Sequence, residues 1–96
     1  MAATVHPVRD KRLVWRDIAG EVVIAERDSR TVRLLNKTAS LIWTLADGTR
    51  QTNDIVAEVC SKFEVAPDQA RVDVEKFCEQ LLEAGLIKMK DVSRGT

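Results

Sequence analysis

The sequence has no tyrosine, only two phenylalanines and two tryptophans, and so offers little of the aromatic platform on which single-stranded nucleic acid stacks. One histidine and two cysteines fall short of the roughly four ligands of a structural zinc site. No apolar run approaches the roughly 20 residues that span a bilayer, and the first twenty residues lack the apolar core of a secretory signal. Fifteen Lys and Arg balance fifteen Asp and Glu, so no overall field draws the chain to a polyanion. A cytoplasmic protein is expected, with no membrane, nucleic acid or metal partner.

What is present suits one modest domain. Ninety-six residues bury roughly 65% of the area that the unfolded chain exposes. Cys60 and Cys78 both fall on apolar helix faces and read as inert core thiols rather than a disulfide or metal pair. The one visible charge bias lies near the N-terminus, where Arg9, Lys11, Arg12 and Arg16 face only Asp10 and Asp17. It reads as a solvated basic arm rather than a dedicated anion site.

Residues 1–11 contain Pro7, scattered charge and no periodicity, and are expected to form a flexible tail before a domain over 12–90, with 91–96 frayed. Leu13, Val14 and Trp15 form a β-prone run, Ala19-Gly20 a turn, and Glu21 to Glu26 a second strand with Val22, Val23 and Ile24. Arg27 to Arg30 reads as another turn and Thr31 to Leu35 as the third strand. Alternation along that strand puts Val32 and Leu34 on one face and Thr31, Arg33 and Leu35 on the other, without saying which meets the core.

Helical signals follow. Asn36 can cap a short helix with an apolar stripe at Ala39, Ile42, Trp43 and Ala46 and a stop at Gly48. Thr52 or Asn53 can cap a second, with Ile55, Val56, Val59, Cys60 and Phe63, ending near Glu64. Pro67 opens a third, about eighteen residues long, whose stripe is Ala70, Val74, Phe77, Cys78, Leu81 and Leu82 and which ends at Gly85. A brief extended segment, Leu86 to Lys90, closes the domain. Three antiparallel strands in a meander, three helices and a short C-terminal strand describe an α+β, winged helix-turn-helix-like fold.

No convergent catalytic set is visible: there is no Cys/His pairing, no Gly-rich phosphate loop and no carboxylate cluster with metal-ligand spacing. No enzyme activity and no cofactor are expected. The long helix is a poor DNA reader, because Asp68, Asp73, Glu75, Glu79 and Glu83 outnumber Arg71 and Lys76. What remains is recognition by backbone. The third strand ends the meander, and its open edge can accept an extended peptide as an added strand. At 100 degrees per residue, Asp73, Lys76, Phe77, Gln80 and Ala84 lie along one flank of the long helix and can form a second wall.

The meander ending in Leu34-Leu35-Asn36-Lys37-Thr38-Ala39, the Ile42-Trp43 pair, Asp47-Gly48-Thr49, Asp54-Ile55-Val56 and Asp73-Val74 with Phe77, Leu81 and Gly85-Leu86-Ile87 together resemble the PqqD family of peptide-recognition domains. The resemblance covers roughly residues 13 to 88. It implies a noncatalytic peptide chaperone that binds the leader of a ribosomally made precursor peptide (a RiPP recognition element) and presents it to a modifying enzyme. In pyrroloquinoline quinone (PQQ) biosynthesis that enzyme is a radical S-adenosylmethionine (radical SAM) enzyme, and related domains serve other modified-peptide pathways. The carry-over falls on Thr31, Val32, Arg33 and Leu34 of the strand. On the helix, Asp73, Lys76, Phe77 and Gln80 are projected from periodicity. The basic tail lies outside the pattern, and Val72 places an apolar group on a charged face. The alternatives are a winged-helix transcriptional regulator that uses the basic tail, and a protein–protein interaction module that dimerises through the open edge.

Overall fold

The computed structural model describes residues 5–26 and 31–91. The elements run β1 (Val5–Arg9), β2 (Val14–Ile18), β3 (Glu21–Ala25), β4 (Val32–Leu34), α1 (Lys37–Leu45), α2 (Thr52–Phe63), α3 (Pro67–Glu83) and β5 (Ile87–Asp91). Strands β2, β3 and β4 form the antiparallel meander expected from the sequence, in that spatial order. The turn expected over 27–30 and most of the frayed end lie outside the described residues.

The tail assigned to residues 1–11 needs correction. Val5–Arg9 is a strand, paired antiparallel with β5 so that Pro7 faces Met89 and Arg9 faces Ile87. Its partner lies at the far end of the chain, and no local alternation announces a strand whose stabilising contacts are all distant. Pro7 is fully buried, and its carbonyl accepts the Gly48 amide at 3.0 Å. His6 Nδ1 donates to the Gly48 carbonyl at 2.8 Å, which fixes the imidazole tautomer.

That contact redefines Gly48. The first helix stops before it, at Ala46, whose amide turns back to the Ile42 and Trp43 carbonyls. Asp47 then bridges Val8, and Gly48, at φ +88°, packs against it. A Cβ added there would lie 3.3 Å from Val8 Cγ2 in a left-handed backbone conformation, so glycine serves both close approach and chain direction.

The other helix boundaries follow local chemistry. Asn36 Oδ1 accepts the Ala39 amide at 2.8 Å, as its type and position predict. Neither Thr52 nor Asn53 caps α2; Gln51 holds that position, and the Asp54 carboxylate accepts its amide at 3.0 Å. Pro67 opens α3, and Gly85 at φ +73° ends it as Leu86 donates back to Leu81.

The core lies between the meander and the helices. Val22 and Ile24 of β3 meet Ile42 and Trp43 of α1, Ile55 and Val59 of α2, and Val74 and Leu81 of α3, all essentially inaccessible. Trp15 approaches Trp43 edge-on, with centroids 6.1 Å apart and planes at 87°. Cys78 is buried and Cys60 partly so, both free thiols. Burial raises the Cys78 thiol to about 11, with Glu75 adding to the shift.

Candidate peptide-binding site

Strand β4 is an edge strand: among the described residues it pairs only with β3. The Leu35 amide donates to the Val22 carbonyl at 2.9 Å, and the Glu26 amide to the Thr31 carbonyl at 3.3 Å. Bonded and non-bonded pairs alternate in an antiparallel ladder, so Thr31, Arg33 and Leu35 turn their backbone groups toward β3. Val32 and Leu34 therefore present their amides and carbonyls to the open edge.

The side chains resolve the facing that sequence leaves open. Val32 and Leu34 are 55% and 74% exposed, whereas Leu35 is 7% exposed, so the Arg33/Leu35 face meets the helices. Arg33 Nε lies 3.3 Å from Glu26 Oε2, an ion pair that links β4 to the end of β3. Alternation alone does not choose between the faces, and the outcome is the less apolar one: the Val32/Leu34 pair stays outside while Leu35 turns inward on the face that also carries Thr31 and Arg33.

A buried hydroxyl fixes where β4 stops. The Val22 amide donates to Ser40 Oγ at 2.7 Å, and Ser40 Oγ donates to the Leu35 carbonyl at 3.2 Å. One α1 side chain thus replaces the last direct bond of the ladder and pins the helix to the sheet. Asn36, immediately beyond, caps α1.

Beside that junction lies an open groove of about 300 Å³. Asp73, Lys76, Phe77 and Gln80 form the α3 wall, so the structure brings together four of the five residues placed on that flank by the 100-degree period; Ala84, at the end of the helix, does not line the groove. The opposite wall is Asn36, Thr38, Ala39 and Ile42, which sequence reasoning assigned to support alone. Only the approach of α1 to α3 makes them a wall, and no local signal reports that approach. Thr31, Val32, Arg33 and Leu34 do not line this groove; they lie on the strand that leads to it through Leu35.

The groove has an apolar floor at Ile42 and Phe77 and a polar rim. Asp73 accepts from Gln69 Nε2 at 2.9 Å, and Lys76 supplies the cation. With one carboxylate and one ammonium, the site favours an apolar side chain flanked by mixed polar groups rather than a polyanion.

The basic N-terminal arm is also different from the sequence reading. Arg9 is half-buried, and one of its terminal nitrogens donates at 2.8 Å to the carbonyls of both Trp43 and Thr44, so the last turn of α1 gains a side-chain donor beside the Ala46 amide that also reaches Trp43. Its guanidinium carbon stands 4.9 Å from the Trp15 centroid and 5.9 Å from that of Trp43. Burial lowers its pKa and Asp47 partly opposes this. Arg12 is engaged by Asp10 at 2.9 Å. Val72 is 56% exposed, and nothing in the structure explains it. Among the described residues no cluster of His, Cys, Asp and Glu could hold a metal ion, and no helix is long and apolar enough to cross a membrane.

Comparison with known proteins bears on the family and the fold. The family model for coenzyme PQQ synthesis protein D (PqqD) matches residues 21–87. No curated protein matches the sequence. Among solved structures, TbiB1 in complex with the TbiA(beta) leader peptide aligns with a TM-score of 0.75 and 23% identity, over 84% of this chain and 94% of that one. At that identity the likeness shows a common fold.

Proposed function

The chain belongs to the PqqD family, and from that premise we propose that it is a noncatalytic domain that recognises the leader of a ribosomally made precursor peptide and presents it to a modifying enzyme. The observation that carries this reading is the open edge of β4, where Val32 and Leu34 offer unpaired backbone groups beside the Ile42/Phe77 groove. An extended leader adds there as a fourth strand of the meander, bonded to Val32 and Leu34. Because side chains alternate along a strand, leader residues opposite Arg33 and Leu35 turn inward toward the groove. The neighbour solved with a leader peptide supports the same ligand class.

On this reading Thr31, Val32, Arg33 and Leu34 set the strand register, Phe77 receives an apolar anchor, and Asp73, Lys76 and Gln80 select its polar neighbours. The domain works in the cytoplasm, where precursor peptides are made, and a radical SAM enzyme is one class of partner that fits. Pyrroloquinoline quinone is one such pathway.

Titration with the leader of a precursor peptide encoded beside this chain tests the proposal. Amide shifts over Thr31 to Leu35 and a measurable heat are expected. Absence of both at high micromolar peptide overturns it. Lys76→Glu is expected to weaken binding more than Glu58→Lys on α2, and equal effects would misplace the groove.

A further inference from the structure

A second cleft, of about 530 Å³, lies away from the leader groove, where the β1–β2 loop meets the α3–β5 turn. Its apolar lining is Val8, on the same face of the β1–β5 pair as Lys88, and the edge of the buried Ile87, and its cations are Arg9, Lys11, Arg12 and Lys88, against a single carboxylate, Asp10. Backbone bonds hold the walls: the Asp10 amide donates to Leu86 at 3.0 Å, and the Leu13 amide to Asp10 at 3.2 Å. Asp10 in turn accepts from the Arg12 backbone at 2.9 Å, and from its guanidinium at 3.1 and 2.9 Å. The loop is thus fixed without a ligand.

Two of the cations are already used, Arg9 on the α1 carbonyls and Arg12 on Asp10. Lys11 and Lys88 are exposed, and among the described residues neither makes an ion pair within hydrogen-bonding distance. Lys90 is two residues beyond Lys88 on the same face of β5 and extends the row. Asp10 reports the local field. Its carboxyl is held down to about 2, first by hydrogen bonds from Arg12, with the charges of Arg12 and Lys88 adding to the effect.

We propose that this cleft docks an acidic segment of a protein partner, with carboxylates at Lys11, Lys88 and Lys90 and one apolar side chain against Val8 between them. Charge complementarity selects this occupant. The α3 helix, with five acids against two bases, disfavours a nucleic acid that would extend over the molecule. Val8, on the lysine face, gives a peptide side chain a seat that a free anion would leave empty. The proposal rests on the domain being a presenter that must hold its ligand and an enzyme together, and it puts the second contact on a separate face.

The probe is a short, end-blocked peptide of glutamates flanking a single leucine, titrated into the full chain and followed by amide shifts. Expected are shifts at Val8, Lys11, Gly85 and Lys88, and a several-fold loss of affinity between about 50 and 200 mM salt. The double variant Lys11→Glu, Lys88→Glu is expected to lose at least about tenfold in affinity, while Lys62→Glu on α2 is expected to bind normally. No shifts, shifts confined to β4, equal losses in both variants, or tighter binding of a DNA duplex at these residues overturns the proposal. Leu34→Pro separates the two readings: it is expected to weaken leader binding about tenfold or more and leave the affinity for the glutamate peptide unchanged. The Lys11/Lys88 variant is expected to do the reverse.

Discussion

Ser40 Oγ accepts the Val22 amide at 2.7 Å and passes its own hydrogen to the Leu35 carbonyl, so a helix side chain completes the sheet where β4 ends. The edge offered to a peptide is therefore positioned by α1. The same hydroxyl ties that edge to Ile42, one wall of the groove, through the helix they share.

Ser40→Ala removes the relay and leaves a buried donor and a buried acceptor without partners. The expected cost is about 1–3 kcal/mol. For a domain of this size each kcal/mol lowers the melting temperature by roughly 4–8 °C. Amide exchange at Val22 and Leu35 should rise more than at Val59 in the core of α2. A variant as stable as the parent would show that water replaces the hydroxyl.

Leu34→Pro tests the direction of the free edge. The ladder alternation turns the Leu34 amide away from β3, so its loss removes no bond of the folded protein, and proline is tolerated on an edge strand facing outward. The melting temperature should change little, while leader affinity falls roughly tenfold or more, the effect of losing a backbone donor at the interface. Unchanged affinity by calorimetry would place the added strand elsewhere.

Arg9→Lys isolates the α1 C-terminus. A lysine keeps the charge but loses the planar guanidinium that lies within cation–π distance of two tryptophans while it donates to two carbonyls. A loss of about 1–3 kcal/mol is expected in denaturant unfolding. A change below a few tenths would assign the contact no role in stability.

The sequence made the helices legible because their signals are local. Asn36, Pro67 and Gly85 each act within one turn, and the apolar period that marks the core of α3 also places Asp73, Lys76, Phe77 and Gln80 on one flank. What stayed hidden depends on distant contacts. Strand β1 exists through β5, Arg9 leaves the solvent because α1 ends above it, and Ile42 lines a groove because α3 passes beside it. The two faces of β4 were separable by alternation, but only burial of Leu35 and exposure of Leu34 identify the inner one.

Acid titration should expose the Asp10 clamp. Its folded-state pKa is depressed from 3.8 to about 2, so the carboxylate's contribution to stability is present above the unfolded value and is lost as pH falls through the folded one. Asp47, lowered first by its hydrogen bond with Thr49, acts in the same direction. The urea midpoint should fall between about pH 4 and pH 2, and less steeply in Asp10→Asn. Parallel profiles for parent and variant would mean that the pair is screened by solvent.

Thiol chemistry supplies a check on packing that is independent of any ligand. Cys78 sits against the core with its pKa raised to about 11, first by burial and then by Glu75, so only about one thiol in a thousand is ionised at pH 8. Cys60 is partly exposed and carries no comparable burial. Because the thiolate is the nucleophile, iodoacetamide at pH 8 should modify Cys60 well before Cys78, as read by peptide mass analysis. Cys78 should react only as urea opens the core, so that its rate tracks global unfolding. Equal rates in buffer would mean that α3 detaches locally. The Phe77 wall of the groove, one residue away, would then be mobile before any peptide arrives.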